Sequence, residues 1–153
     1  MQLTDQATYH TPQLGPHPNK APDCKAFDQG GQTVALEVSE FVSKEAIGIN
    51  QRTTQIEKMV YRDWQPQEVV AEVNRILTNK DTKSYDSGHY SQIVVVIHTD
   101  EPTVRSDTCA AALTNETFGP YLQIDRAFFL FSYEPEVDYC PYVELRLARH
   151  MSA

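Results

Sequence analysis

Positive charge is scarce in this chain. Lysine and arginine number 13 against 21 aspartates and glutamates, a formal net charge of -8 over 153 residues. Broad, non-specific affinity for nucleic acid needs Lys and Arg to displace counterions from phosphates, so the balance argues against it. It leaves room for an enzyme with a local basic strip, or for a protein that binds a basic partner. Long apolar runs are also missing. None is longer than Ile93 to Ile97, far below the roughly 20 residues that cross a bilayer, and no membrane association is expected. The three cysteines, Cys24, Cys109 and Cys140, are odd in number and widely spaced. They form neither a disulfide framework nor a zinc motif and read as buried free thiols. The first residues, Met-Gln-Leu-Thr-Asp-Gln, have neither a basic start nor an apolar stretch, so no secretory signal is expected and the cytoplasm is the simplest compartment.

Glycine is sparse as well, which makes the pair Gly30-Gly31 conspicuous. It supplies the positive φ of a tight hairpin turn. A three-residue loop at Gln29 to Gly31 sets Asp28 opposite Gln32, Ala26 opposite Val34, Lys25 opposite Ala35, Cys24 opposite Leu36 and Asp23 opposite Glu37. Strand alternation then gives one apolar face (Cys24, Ala26, Val34, Leu36, Val38) and one polar face (Asp23, Lys25, Ala35, Glu37, Ser39). A one-residue slip would mix the two sets, so pattern and turn agree on the register. Opposed side chains start about 5 Å apart at Cβ. Two carboxylates at that separation repel each other, or share one hard cation whose shell water and a backbone carbonyl complete. On a solvated strand face the same pair would be two ordinary surface acids.

Along the chain, residues 1–20 are rich in Gln, Thr, Pro and His without a period and read as an irregular arm. Residues 21–149 read as one domain, and 150–153 as a tail. After the hairpin, Ser43 caps a helix expected to run from Lys44 toward Tyr61, with Ile47, Ile49, Ile56, Met59 and Val60 buried. Gly48 and Asn50 invite a break near its start. Pro66 opens a second helix, ending near Lys80, whose Val69, Val70, Val73, Ile76 and Leu77 share one face. Tyr90 to His98 reads as a central strand, Thr103 to Leu113 as a short helix, Asp125 to Tyr133 as a second buried strand and Tyr142 to Leu147 as an edge strand. The order implies a single-domain α/β fold, a mixed central sheet flanked by helices.

Competing constellations are weaker. His98 and Asp100 share a face at a strand end but lack a third ligand, and Asp100 reads as a helix-start residue. A triad of Ser39, His98 and Asp100 lacks the glycines of a nucleophile elbow.

Pro22-Asp23, the hairpin, and Glu37-Val38-Ser39-Glu40 followed by a helix resemble the PD-(D/E)XK nuclease superfamily. The likeness is to small bacterial members that carry Glu-Val-Thr-Glu or Glu-Val-Ser-Glu at the second motif. It extends from Pro22 to Leu147 in element order, but only its first eighteen residues are specific. The resemblance implies a restriction-endonuclease-like fold. It assigns Asp23 and Glu37 as metal-binding acids, with the Val38 carbonyl as a further ligand, around Mg2+ or Mn2+. The implied activity is hydrolysis of phosphodiester bonds in DNA or RNA.

Ser39 stands where the family has its lysine. Lys25, on the same face as Asp23, is the expected substitute, with Lys44, Lys80 and Lys83 as the others. Gln51 and Arg52 resemble the polar helix residues that complete such sites. Two further functions fit the sequence. One is a catalytically inactive nuclease-fold module that binds a partner or regulates. The other is an acidic immunity-type protein that masks a basic toxin.

Overall fold

The hairpin forms in the expected register. In the computed structural model, which describes residues 10–14, 21–83 and 89–150, β2 (Cys24–Phe27) and β3 (Thr33–Phe41) pair antiparallel, with Cys24 opposite Leu36, Lys25 opposite Ala35 and Ala26 opposite Val34. The turn is closed by Asp28 N–H to Gln32 O at 3.0 Å, and Gly31 has φ 77°. The Asp28 carboxylate also accepts from the backbone N–H of Gly30 and Gln32. A side chain at Gly31 would sit in the left-handed region that glycine occupies without strain.

From β3 the chain enters α1 (Lys44–Asn50), a 3-10 turn (Ile56–Lys58), α2 (Pro66–Asp81), β4 (Gln92–Thr99) and α3 (Ser106–Asn115). It continues through β5 (Thr117–Phe118), β6 (Arg126–Leu130) and β7 (Tyr142–Leu147). The first strand, β1 (His10–Leu14), pairs antiparallel with β2. The described strands form a mixed sheet in the order β1-β2-β3-β4-β6-β7-β5, β5 being a two-residue addition beside β7. β4 lies parallel to β3 and to β6, so each of these connections must cross over and carry helix. The described residues thus form a single α/β domain with a mixed sheet flanked by helices.

The main core lies between one face of the sheet and the helices α2 and α3. It gathers Phe41, Val95, Ile97, Ala127 and Phe129 from the strands, Val69, Val70, Val73, Ile76 and Leu77 from α2, and Cys109 and Leu113 from α3. All five apolar positions expected from the periodicity of α2 are buried there. A smaller cluster of Val34, Val94 and Phe128 occupies the other face. Alternation puts Ala35, Glu37, Ser39 and Phe41 on the α2 side of β3. The apolar face of the hairpin is therefore the one away from the larger core. Val38, on that side, is 42% exposed.

Four expectations are corrected. Of the three cysteines expected to be buried, Cys109 is, whereas Cys24 and Cys140 are partly exposed. Residues 10–14 of the arm form a strand rather than irregular chain; His17 falls outside the described residues. The helix from Lys44 ends at Asn50 and does not reach Tyr61. Asn50 itself ends it: its side-chain amide donates to Val60 O at 2.9 Å and its carbonyl accepts from Val60 N–H at 2.8 Å, folding 51–60 back as a loop. Ile47, Ile49, Ile56, Met59 and Val60 are consequently exposed, Ile56 by 78%. The N-terminal cap holds, with Ser43 Oγ accepting from Ala46 N–H at 3.2 Å.

Candidate active site

Asp23 precedes β2, and Glu37 lies in the middle of β3. Each carboxylate accepts from a backbone N–H across the hairpin, Glu37 from Asp23 and Asp23 from Val38. Asp23 N–H donates to Glu37 Oε1 at 3.3 Å, and Asp23 Oδ2 accepts from Val38 N–H at 2.8 Å. Their environments differ. Glu37 is only 1% exposed, beneath α2, whereas the Asp23 side chain is 47% exposed. The alternative of two surface acids on a solvated strand face therefore fails at Glu37, because the larger core is on its side of the sheet.

The charge that answers these acids comes from the end of α2. Lys80 Nζ donates to Glu37 Oε2 at 2.7 Å and to Val38 O at 3.2 Å, and lies 3.7 Å from Asp23 Oδ2. Lys83 Nζ donates to the same Glu37 oxygen at 3.1 Å. Burial alone would push the Glu37 carboxyl up. The hydrogen bonds and charges of Lys80 and Lys83 outweigh that, and its pKa falls below the ordinary 4.5. At Lys83 burial acts to lower the ammonium pKa, but the bond to Glu37 and its charge prevail, so it rises above the ordinary 10.5.

The position of Lys80 depends on a third carboxylate. Asp81 ends α2 and accepts from the backbone N–H groups of Leu122 at 2.9 Å, Gln123 at 2.8 Å and Ile124 at 3.4 Å, while Gln123 Nε2 donates to Asp81 O at 3.0 Å. This ties the last turn of the helix to the loop before β6. Replacing Asp81 by alanine strips the acceptor from these donors and is expected to destabilise the fold by about 1–3 kcal/mol, read by urea unfolding. An unchanged midpoint would show that the loop is held by other contacts.

The remaining predicted site residues lie elsewhere. Lys25, expected to stand in for the lysine that the resemblance calls for at Ser39, sits with its Nζ 5.8 Å from the centre of the Tyr90 ring. Among the described residues the ammonium groups that reach Glu37 belong to Lys80 and Lys83, so that expectation is corrected. The register put Lys25 on the right face, but its place in the strand carries it past Ala35 rather than over Glu37. Ser39 is half-buried on the Glu37 side, opposite Ile97 of β4. Gln51 and Arg52 are exposed beyond the end of α1, where the early end of that helix leaves them. Lys44 lines a cavity of about 350 Å³ with Arg62, Trp64 and Arg75.

Sequence reasoning passed over two buried carboxylates. Glu101 is 8% exposed and accepts from Ser43 N–H at 2.5 Å. Glu134, 4% exposed, accepts from the N–H and the hydroxyl of Ser106, each at 2.6 Å, at the start of α3. Both satisfy backbone donors and are read as structural. No periodicity marks them, since both lie outside helices and strands.

Asp23 Oδ2, Glu37 Oε2 and Val38 O therefore converge on one cation, the ammonium of Lys80. These oxygens are the hard donors that Mg2+ or Mn2+ takes, so the set fits such an ion in kind. Among the described residues no group of three or more His, Cys, Asp and Glu side chains is placed to hold a metal; the seat has two carboxylates and a carbonyl. No described helix is long and apolar enough to cross a membrane. Comparison with protein-family models, with curated proteins and with solved structures finds no match to this chain.

Proposed function

We propose that the protein is a metal-dependent phosphodiesterase of the PD-(D/E)XK nuclease type, acting on DNA or RNA, with Asp23, Glu37 and the Val38 carbonyl as metal ligands and Lys80 in the role of the lysine missing at Ser39. The observation that carries this reading is the approach of Lys80 Nζ to within 2.7 Å of Glu37 Oε2, beside Asp23 and Val38 O. A lysine is absent from the expected sequence position but present at the expected chemistry. The hairpin followed by a parallel crossover to β4 supports the same reading, because it brings the end of α2 over the carboxylates.

Bound at these oxygens, Mg2+ or Mn2+ would supply a water of lowered pKa and stabilise charge on the attacked phosphate. The chain contributes the rest. Glu37 is oriented by burial and by Asp23 N–H. Asp23 is held by Val38 N–H with half of its side chain open to solvent, where substrate arrives. The Lys83 side chain, 46% exposed, is available to a phosphate oxygen as a positive charge close to Glu37.

The test is cleavage of single- and double-stranded DNA and RNA with Mg2+ or Mn2+. Asp23→Asn keeps the side-chain shape, and Lys80→Met removes the ammonium; each is expected to reduce cleavage by about 100-fold or more, the scale of losing one preorganised charge contact. Circular dichroism checks that both variants are folded. Cleavage that survives both changes removes this site from consideration.

One observation favours a second reading, the catalytically inactive module. Two ammonium groups already balance the two carboxylates. Absence of both cleavage and divalent-cation binding, together with recovery of a specific partner, would establish it.

A further inference from the structure

The oxygens that would hold a divalent ion are already in contact with an ammonium. Lys80 Nζ has three N–H donors. It spends them among Glu37 Oε2 at 2.7 Å, Val38 O at 3.2 Å and the neighbourhood of Asp23 Oδ2 at 3.7 Å. Glu37 has little capacity left, since Oε2 also accepts from Lys83 at 3.1 Å and Oε1 accepts from Asp23 N–H at 3.3 Å. A divalent ion held by the same oxygens would take the place where the ammonium sits. Two positive centres cannot share that place, and with Lys80 and Lys83 both present the seat is neutral before any ion arrives.

Resting on the nuclease reading, we propose that Lys80 is a displaceable internal counter-ion of the metal seat: a divalent cation enters only as the ammonium withdraws, and a phosphodiester, by accepting that ammonium, makes cation and substrate bind cooperatively.

The fold lets this motion stay local. Asp81 anchors the helix end to Leu122, Gln123 and Ile124, so the backbone at Lys80 is fixed. The four-carbon stem of lysine can rotate without moving α2. The bond from Lys80 Nζ to Val38 O lies at the surface beside the half-exposed Asp23 and Lys83, where an arriving anion can meet the ammonium. A phosphate oxygen replaces carboxylate as hydrogen-bond acceptor, and the vacated oxygens regain the charge that attracts the cation. Each ligand thus favours the other through one side chain, the reciprocal coupling that linkage requires.

The experiment measures Mn2+ binding by calorimetry rather than turnover. Wild-type protein, Lys80→Met and Lys80→Gln are compared, with and without a non-hydrolysable phosphorothioate-linked thymidine dinucleotide. Removal of the ammonium is expected to tighten Mn2+ binding by about tenfold, and the dinucleotide to tighten it similarly in wild type but not in the variants. Asp23→Asn added to either variant is expected to abolish the gain, which locates it at this seat. Lys80→Gln keeps a donor to Glu37 and serves if Lys80→Met fails to fold. Mn2+ binding no tighter in the folded variants than in wild type, including no binding in any of them, overturns the proposal. Failure here with metal-dependent cleavage by wild type leaves the nuclease reading standing. The gain in Mn2+ affinity without cleavage of any nucleic acid upholds the displacement and removes the nuclease reading.

Discussion

Replacing Glu37 by alanine is expected to lower folding stability by about 3–5 kcal/mol, the cost of breaking a buried ion pair from one side. The reason is asymmetry. Glu37 is 1% exposed, so its removal empties a buried position under α2, leaves Asp23 N–H without its acceptor and takes the nearest anion from both Lys80 and Lys83. Lys83 is 46% exposed and can return to water. Lys83→Ala is therefore expected to cost less than about 1 kcal/mol. Urea unfolding of the two variants checks the contrast, and equal losses would mean that Glu37 is better solvated than its burial indicates.

The same pair sets a pH dependence. Glu37 has a carboxyl pKa depressed below 4.5 in the folded protein. A depressed carboxylate contributes stability that is complete above the unfolded value and is lost as pH falls through the folded one. The wild type should therefore lose stability on acidification below about pH 4.5, and Glu37→Gln should lose less over that interval. Parallel pH profiles for the two proteins would exclude Glu37 as a source of the acid sensitivity.

Phe41→Ala is the second large effect, expected to destabilise by about 3–5 kcal/mol. Phe41 is fully buried at the end of β3. Its ring lies 4.6 Å from that of Trp64 and 5.7 Å from that of Phe129. Deleting it opens a cavity where β3, the approach to α2 and β6 meet, in a core too dense to close without strain. Trp64 is the sole tryptophan, so its fluorescence reports this corner directly. A red-shifted emission should accompany the loss of stability in urea. A loss under about 1 kcal/mol would show that neighbours refill the space and that β3 is anchored elsewhere.

Some of this architecture is carried by local pattern. Gly30-Gly31 and the alternation on either side specify one hairpin register, because a slip would exchange its two faces. The stripe of Val69, Val70, Val73, Ile76 and Leu77 specifies the buried side of α2, and the β-branched run from Ile93 marks an interior strand. These features are short in range and repeat with the period of their element. The extent of α1 is less legible. Its apolar residues suggested a long buried helix, but the side-chain clamp from Asn50 to Val60 is a contact across ten residues that no periodicity announces.

The site divides in the same way. The sequence alone determined that Asp23 and Glu37 are neighbours, since strand pairing and turn position are local properties of the chain. Only the tertiary structure decided that the polar face of the hairpin lies under α2, which buries Glu37, and that Lys80 and Lys83 rather than Lys25 answer its charge. The physical reason is separation along the chain. Lys80 meets Glu37 across 43 positions, at a place set by the length of α2 and by the anchoring of its end through Asp81, and neither leaves a pattern in the residues around the hairpin.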